Sequence, residues 1–216
     1  MPKRWIKMPV AANPSGRMTE GSRNMTADSH QSNSERRPFP GWAWVWVAVA
    51  IPISGYIGWG VGGHVDAVPA ALIGGALTGA GLGAVQWWAA KGALGGPAAW
   101  ISASAVGYAA GLAVGAALVG YDTDTGALVL MGVVSGASLG AAQGLVLVRE
   151  GNSGLGLAWG AAMPILLALG WVASAEGVGI NVEDQFTVFG AGGALLFMLL
   201  SGLLLARFTP PSTRVA

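Results

Sequence analysis

From Trp44 to Ala206 the chain alternates between long apolar stretches and short polar breaks. The apolar stretches run over Trp44–Gly63, Val68–Ala90, Ala98–Gly120, Gly126–Val148, Leu155–Ala175 and Phe186–Ala206. Each holds about 20 residues, enough to cross a hydrocarbon core of ~30 Å as a helix. Lipid offers the backbone no hydrogen-bond partners, so a spanning segment satisfies its amides internally, as a helix does. Barrel strands would be stretches of about ten residues with alternating polarity. The pattern predicts an all-α polytopic integral membrane protein with six transmembrane helices.

Composition sharpens this. Of 216 residues, 53% are hydrophobic and 10% charged, where a soluble domain carries about 25% charged residues. Between Gly41 and Ala206 the only cations are Lys91 and Arg149. Residues 1–40 are polar and basic, with too little apolar surface to fold alone, and read as a disordered cytoplasmic tail. Residues 41–207 form the predicted membrane domain, and 208–216 a short second tail. No small-residue cleavage site makes the first segment a signal peptide. Every Lys and Arg lies in the tails, after the second span (Lys91), after the fourth (Arg149) or after the sixth (Arg207, Arg214). The loops after the first, third and fifth spans hold Asp66, Asp122, Asp124, Glu176, Glu183 and Asp184 and no cation. The positive-inside rule puts both termini in the cytoplasm of a multi-pass inner-membrane protein.

The spans also repeat. Gly75-x3-Gly79-x3-Gly83-x2-Gln86 recurs as Gly132-x3-Gly136-x3-Gly140-x2-Gln143, each followed by a cation, Lys91 or Arg149. The preceding spans carry Gly55-Tyr56, Gly107-Tyr108 and Gly170-Trp171. The step from Gly55 to Gln86 is 31 residues and that from Gly107 to Gln143 is 36; 31 from Gly170 reaches Ser201. The third ladder is eroded to Gly190, Ala194 and Met198. Three tandem hairpins follow, 41–91, 98–149 and 155–207, as parallel repeats in a pseudo-three-fold arrangement. On Gly79, Gly83, Gln86 and Trp87, and on Gly136, Gly140, Gln143, Val146, Leu147, Val148 and Arg149, the chain resembles a group of uncharacterised bacterial polytopic membrane proteins built from repeated two-helix units. Gly144 departs from the Trp that the pattern places there. That group implies no activity.

Candidate chemistry is sparse. Glycines four apart share one helix face and let backbones approach closely, which is how helices associate in lipid. Gly75, Gly79 and Gly83, then Gly107, Gly111 and Gly115, then Gly132, Gly136 and Gly140 are the predicted helix-packing residues. Gln86, Gln143 and Ser201 form a candidate polar site near the cytoplasmic boundary, read either as interhelical hydrogen bonds or as the lining of a small cavity. Pro52 and Pro164 lie inside odd spans, as kinks or hinges. The outer acids lack the oxygen-rich loop of a hard-cation site. Gly136-Ala-Ser138-Leu-Gly140 matches a hydrolase elbow but lies within a span without a nearby His. With no Cys there is no thiolate nucleophile, metal ligand or disulfide. The expected role is non-enzymatic: structural, lipid-interacting or an accessory subunit, with a small-solute channel or transporter as the alternative and an intramembrane enzyme third. Neither cofactor, metal nor nucleic acid is expected. The expected partners are the lipid bilayer and other membrane subunits or further copies of the chain.

Overall fold

A computed structural model describes residues 41–90, 93–176 and 184–208. Both tails, Lys91 and Glu183 lie outside the described residues. Six helices account for most of the rest: α1 Val45–Gly62, α2 Val68–Ala90, α3 Pro97–Leu118, α4 Thr125–Arg149, α5 Ser153–Ala175 and α6 Ala191–Phe208. All six are long and apolar enough to cross a membrane, so the chain is an integral membrane protein. Their ends follow local chemistry. Gly96 precedes Pro97 at the first turn of α3, where a missing N–H costs nothing. Asp124 caps α4 by accepting the Ala127 N–H at 2.8 Å.

Each helix packs against its neighbours in the chain, and α6 packs back on α1, closing a ring. Loops 63–67 and 119–124 and the segment 184–190 share one end with Asp66, Asp122, Asp124, Glu176 and Asp184, here called the acidic end. Arg149 and Arg207 mark the other, basic end.

Close backbone approach runs round the ring. A Cβ at Gly79 would strike the Ser104 carbonyl oxygen on α3, and one at Gly75 would sit 2.9 Å from the Ala109 Cα. Gly111 and Gly115 of α3 face Ser135 and Met131 of α4 in the same way. A Cβ at Gly136 would collide with the Met163 carbonyl oxygen, and one at Gly132 would stand 2.9 Å from the Ala168 Cα, both on α5. Gly83, Gly107 and Gly140 are equally confined, against Ser104, Ala142 and Met163.

At the sixth span the fold departs from the sequence pattern. The sixth span was predicted from Phe186, but α6 begins at Ala191, and Gln185–Gly190 form a non-helical strap inside the bundle. Gly190 therefore stands outside the eroded ladder; Gly193 makes the close approach instead, against the Gly170 carbonyl oxygen. The tryptophans divide between surface and interior. Trp42, Trp46 and Trp88 are exposed, whereas Trp44, Trp100, Trp159 and Trp171 are fully buried.

Candidate functional site

Two polar layers occupy the interior of the ring. The first lies toward the basic end. Three residues past Gly83, Gln86 falls on the inward face of α2, and Gln143 stands in the same relation to Gly140 on α4. Gln86 precedes the end of α2 by four residues and Gln143 the end of α4 by six, so both sit roughly 6–9 Å inside the helix ends. Neither has any exposed surface, nor does Ser201 of α6.

Their hydrogen bonds run across the ring. The Gln143 Nε2 donates to Gln86 Oε1 at 3.0 Å and to Ser104 Oγ at 2.8 Å. The Trp159 Nε1 donates to Gln143 Oε1 at 2.8 Å. An indole can only donate, so it fixes which end of the Gln143 amide is the oxygen. Ser104 passes its own proton to the Trp100 carbonyl at 2.7 Å. Ser201 does not touch the glutamines. It accepts from Trp44 Nε1 at 3.2 Å and donates to the Phe197 carbonyl. The link between the two groups is aromatic: Trp159 meets Trp44 edge-on at 6.5 Å between centroids and Trp100 at 5.9 Å. Rings from the residue before α1 and from α3 and α5, which are not adjacent helices, thus meet inside the bundle.

The layer is not fully satisfied. Gln86 Nε2 and Trp100 Nε1 are buried donors with no hydrogen-bond partner among the described residues. Each such group costs about 1–3 kcal/mol in a dry interior. Both atoms have essentially no accessible surface, so no water-sized space adjoins them.

The second layer lies toward the acidic end and centres on Thr187 of the strap. Its Oγ1 donates to the Gly55 carbonyl at 3.0 Å and lies 2.8 Å from Thr78 Oγ1. Its carbonyl accepts from Tyr108 Oη at 2.7 Å. Further along, the Gly190 N–H donates to Ser174 Oγ at 3.0 Å. One short segment therefore bonds to α1, α2, α3 and α5. Val188 and Phe189 are buried beside it, with Phe189 against Trp171 and Phe197. At its mouth the Asp184 carbonyl accepts from Trp59 Nε1 and pairs with His64 Nδ1, while Gln185 Nε2 donates to the Tyr121 carbonyl.

The remaining sequence candidates have structural uses. Asp122 Oδ1 accepts the amides of Thr123 and Asp124, so this pair of acids shapes the turn before α4. The His64 ring pairs with the Asp184 carbonyl, while the His64 backbone carbonyl accepts the Asp66 N–H at 2.8 Å. Ser138 lies in mid-helix on α4, with no strand-turn-helix elbow around it. The described residues contain no group of three or more metal-ligating side chains.

The sequence pattern does not single out Trp44, Trp100, Trp159, Ser104, Thr78 or Thr187, and marks Tyr108 only as part of the Gly107-Tyr108 repeat. Some signals were present. The three tryptophans recur once per predicted hairpin, and Thr78 and Ser135 each precede the middle glycine of a ladder. Comparison with known proteins returns no matching family model, no similar curated protein and no similar solved structure.

Proposed function

We propose that this integral membrane protein is a non-enzymatic scaffold of structural, lipid-interacting or accessory-subunit type, with its helices held by glycine-ladder packing. The observation that carries the reading is the sealed amide layer. Gln86, Gln143 and Ser201 are fully buried and engaged with Ser104, Trp159 and Trp44, where a conduit would present them to solvent. The closed order of six helices and the recurrence of Trp44, Trp100 and Trp159 support three hairpin repeats about a pseudo-three-fold axis along the membrane normal. Kinship with the repeated-hairpin bacterial proteins rests on the ladder motifs alone. The outward stripe Leu195, Leu199 and Leu203 suits lipid or the helix of a partner subunit, including another copy. In liposomes the protein is expected to leave water and glycerol flux at the level of empty vesicles, and to copurify from native membrane with a defined lipid or subunit.

A second reading, passage of a small neutral solute, draws on the two unpaired donors of the amide layer, Gln86 Nε2 and Trp100 Nε1. Glycerol or water flux above that of empty vesicles, abolished by Gln143→Leu in protein that still elutes as a single species, would replace the first reading with the second.

A further inference from the structure

Six helices in single file around a ring leave a gap at the centre. With axes 8–10 Å apart, that gap is roughly as wide as a seventh helix. Two different materials fill it here. Toward the basic end the filling is side chain: the indoles of Trp44, Trp100 and Trp159, each rooted on a different helix. Toward the acidic end it is backbone, the strap 184–190, with Thr187, Val188 and Phe189 buried among the helices. Non-helical chain at membrane depth persists only where protein satisfies its polar groups, and Thr187 and Gly190 find such partners on four helices.

Three features set the strap apart from a permanent part of the core. Its socket is cut from glycine. A Cβ at Gly55 would collide with Val188, one at Gly74 would come within 2.5 Å of Thr187 Cγ2, and one at Gly170 within 2.6 Å of Phe189 Cε1. Such walls are backbone, with no side chain of their own to fill the space the strap takes. Its polar fastenings are neutral hydrogen bonds, each worth about 1 kcal/mol net, beside the packing of Val188 and Phe189. It also enters under backbone tension. Gln185 is held at φ 50° by donating to Tyr121, which is itself at φ 64°. These are the only non-glycine residues with positive φ among the described ones, in a region where an L-residue pays roughly 1–2 kcal/mol. A recess with room for about one water molecule adjoins Gln185 and Phe186, beside the bonds by which the Val65 N–H and the Tyr121 carbonyl hold Gln185.

We propose that the strap 184–190 is a displaceable plug. Seated, it closes the acidic end of the ring. Withdrawn, it opens a recess walled by Thr78, Tyr108, Ser174 and the Gly55 carbonyl, floored by the tryptophan layer, which stays shut. The walls are hydroxyl-bearing and carry no charge, which suits an uncharged hydrogen-bonding solute over an ion. The device stands under either reading of the protein's function.

The unmodified protein in detergent gives the first test, by hydrogen–deuterium exchange. Amides of 187–190 are expected to exchange through an opening that leaves those of α2, α3 and α4 protected. Tyr108→Phe, which removes one fastening, should speed strap exchange about fivefold to tenfold, the population change of one lost neutral bond. The chain has no native cysteine, so Thr78→Cys can report alone. A maleimide should label it in folded protein, faster by a similar factor when Tyr108→Phe is added. Strap amides that exchange only at the pace of the helices would overturn the proposal without any variant. So would a Thr78→Cys thiol that reacts only after denaturation in both backgrounds.

Discussion

Gln143 and Gln86 share a layer but not a situation. Gln143 has both ends of its amide engaged, with Trp159 on the oxygen and Gln86 and Ser104 on the nitrogen. Gln86 uses only its oxygen. Replacing each by leucine should therefore give unequal losses. Gln143→Leu leaves the Trp159 N–H and the Gln86 carbonyl buried and unpaired, at about 2–5 kcal/mol. Gln86→Leu removes a donor that has no partner and leaves Gln143 still bonded to Ser104, so it should cost within about 1 kcal/mol. Denaturation in detergent measures both, and a larger loss for Gln86→Leu would contradict the hydrogen-bond assignment. The same logic ranks Trp159→Phe as more damaging than Trp100→Phe, whose indole N–H has nothing to lose.

At the level of helices, burial of apolar surface supplies little drive in lipid, and the quality of contact decides. Gly136 faces the carbonyl of Met163 and the Cα of Pro164, which cannot rotate away as a side chain could. Gly136→Leu should force α4 from α5 and lower stability by about 3 kcal/mol or more, beyond the usual cost of overpacking a core. Unchanged thermal stability would show the ladder to be dispensable. Helix positions were legible from sequence because the apolar runs stop where the helices stop: from α1 to α5, both ends of every helix lie within two residues of the predicted ones. The sixth start was not legible. Phe186, Val188 and Phe189 are as apolar as any helix face, and apolarity reports depth, not hydrogen-bond pattern. What holds Thr187 in place is contributed by Gly55, 132 residues earlier, and by Thr78, 109 residues earlier. The amide layer was half legible. The glutamines stood out as polar groups at fixed depth, but the inward turn of Trp44, Trp100 and Trp159 was hidden, since tryptophan near a helix end ordinarily faces the interface.

For the molecule as a whole, charge separates the two ends. The described acidic-end loops hold Asp66, Asp122 and Asp124, while Arg149 and Arg207 close α4 and α6 at the other end. A reporter fused in the Asp122–Gly126 loop should read as non-cytoplasmic, and reporters at both termini as cytoplasmic. A cytoplasmic reading at that loop would invert the arrangement and turn the strap toward the cytoplasm.

The closure of α6 on α1 bears on how the protein is made. As the chain leaves the ribosome, α2 can settle on α1, α3 on α2 and so on, each with a partner already inserted. The bond from Trp44 to Ser201, however, spans 157 positions, and that from Gly55 to Thr187 spans 132. The amide layer joins α2 to α5 and needs nothing from α6, whereas the Ser201 and Thr187 bonds wait for the last helix and the strap. A chain that stops after α5 lacks both the closure on α1 and the strap, so it should be cleaved by membrane proteases faster than the full chain.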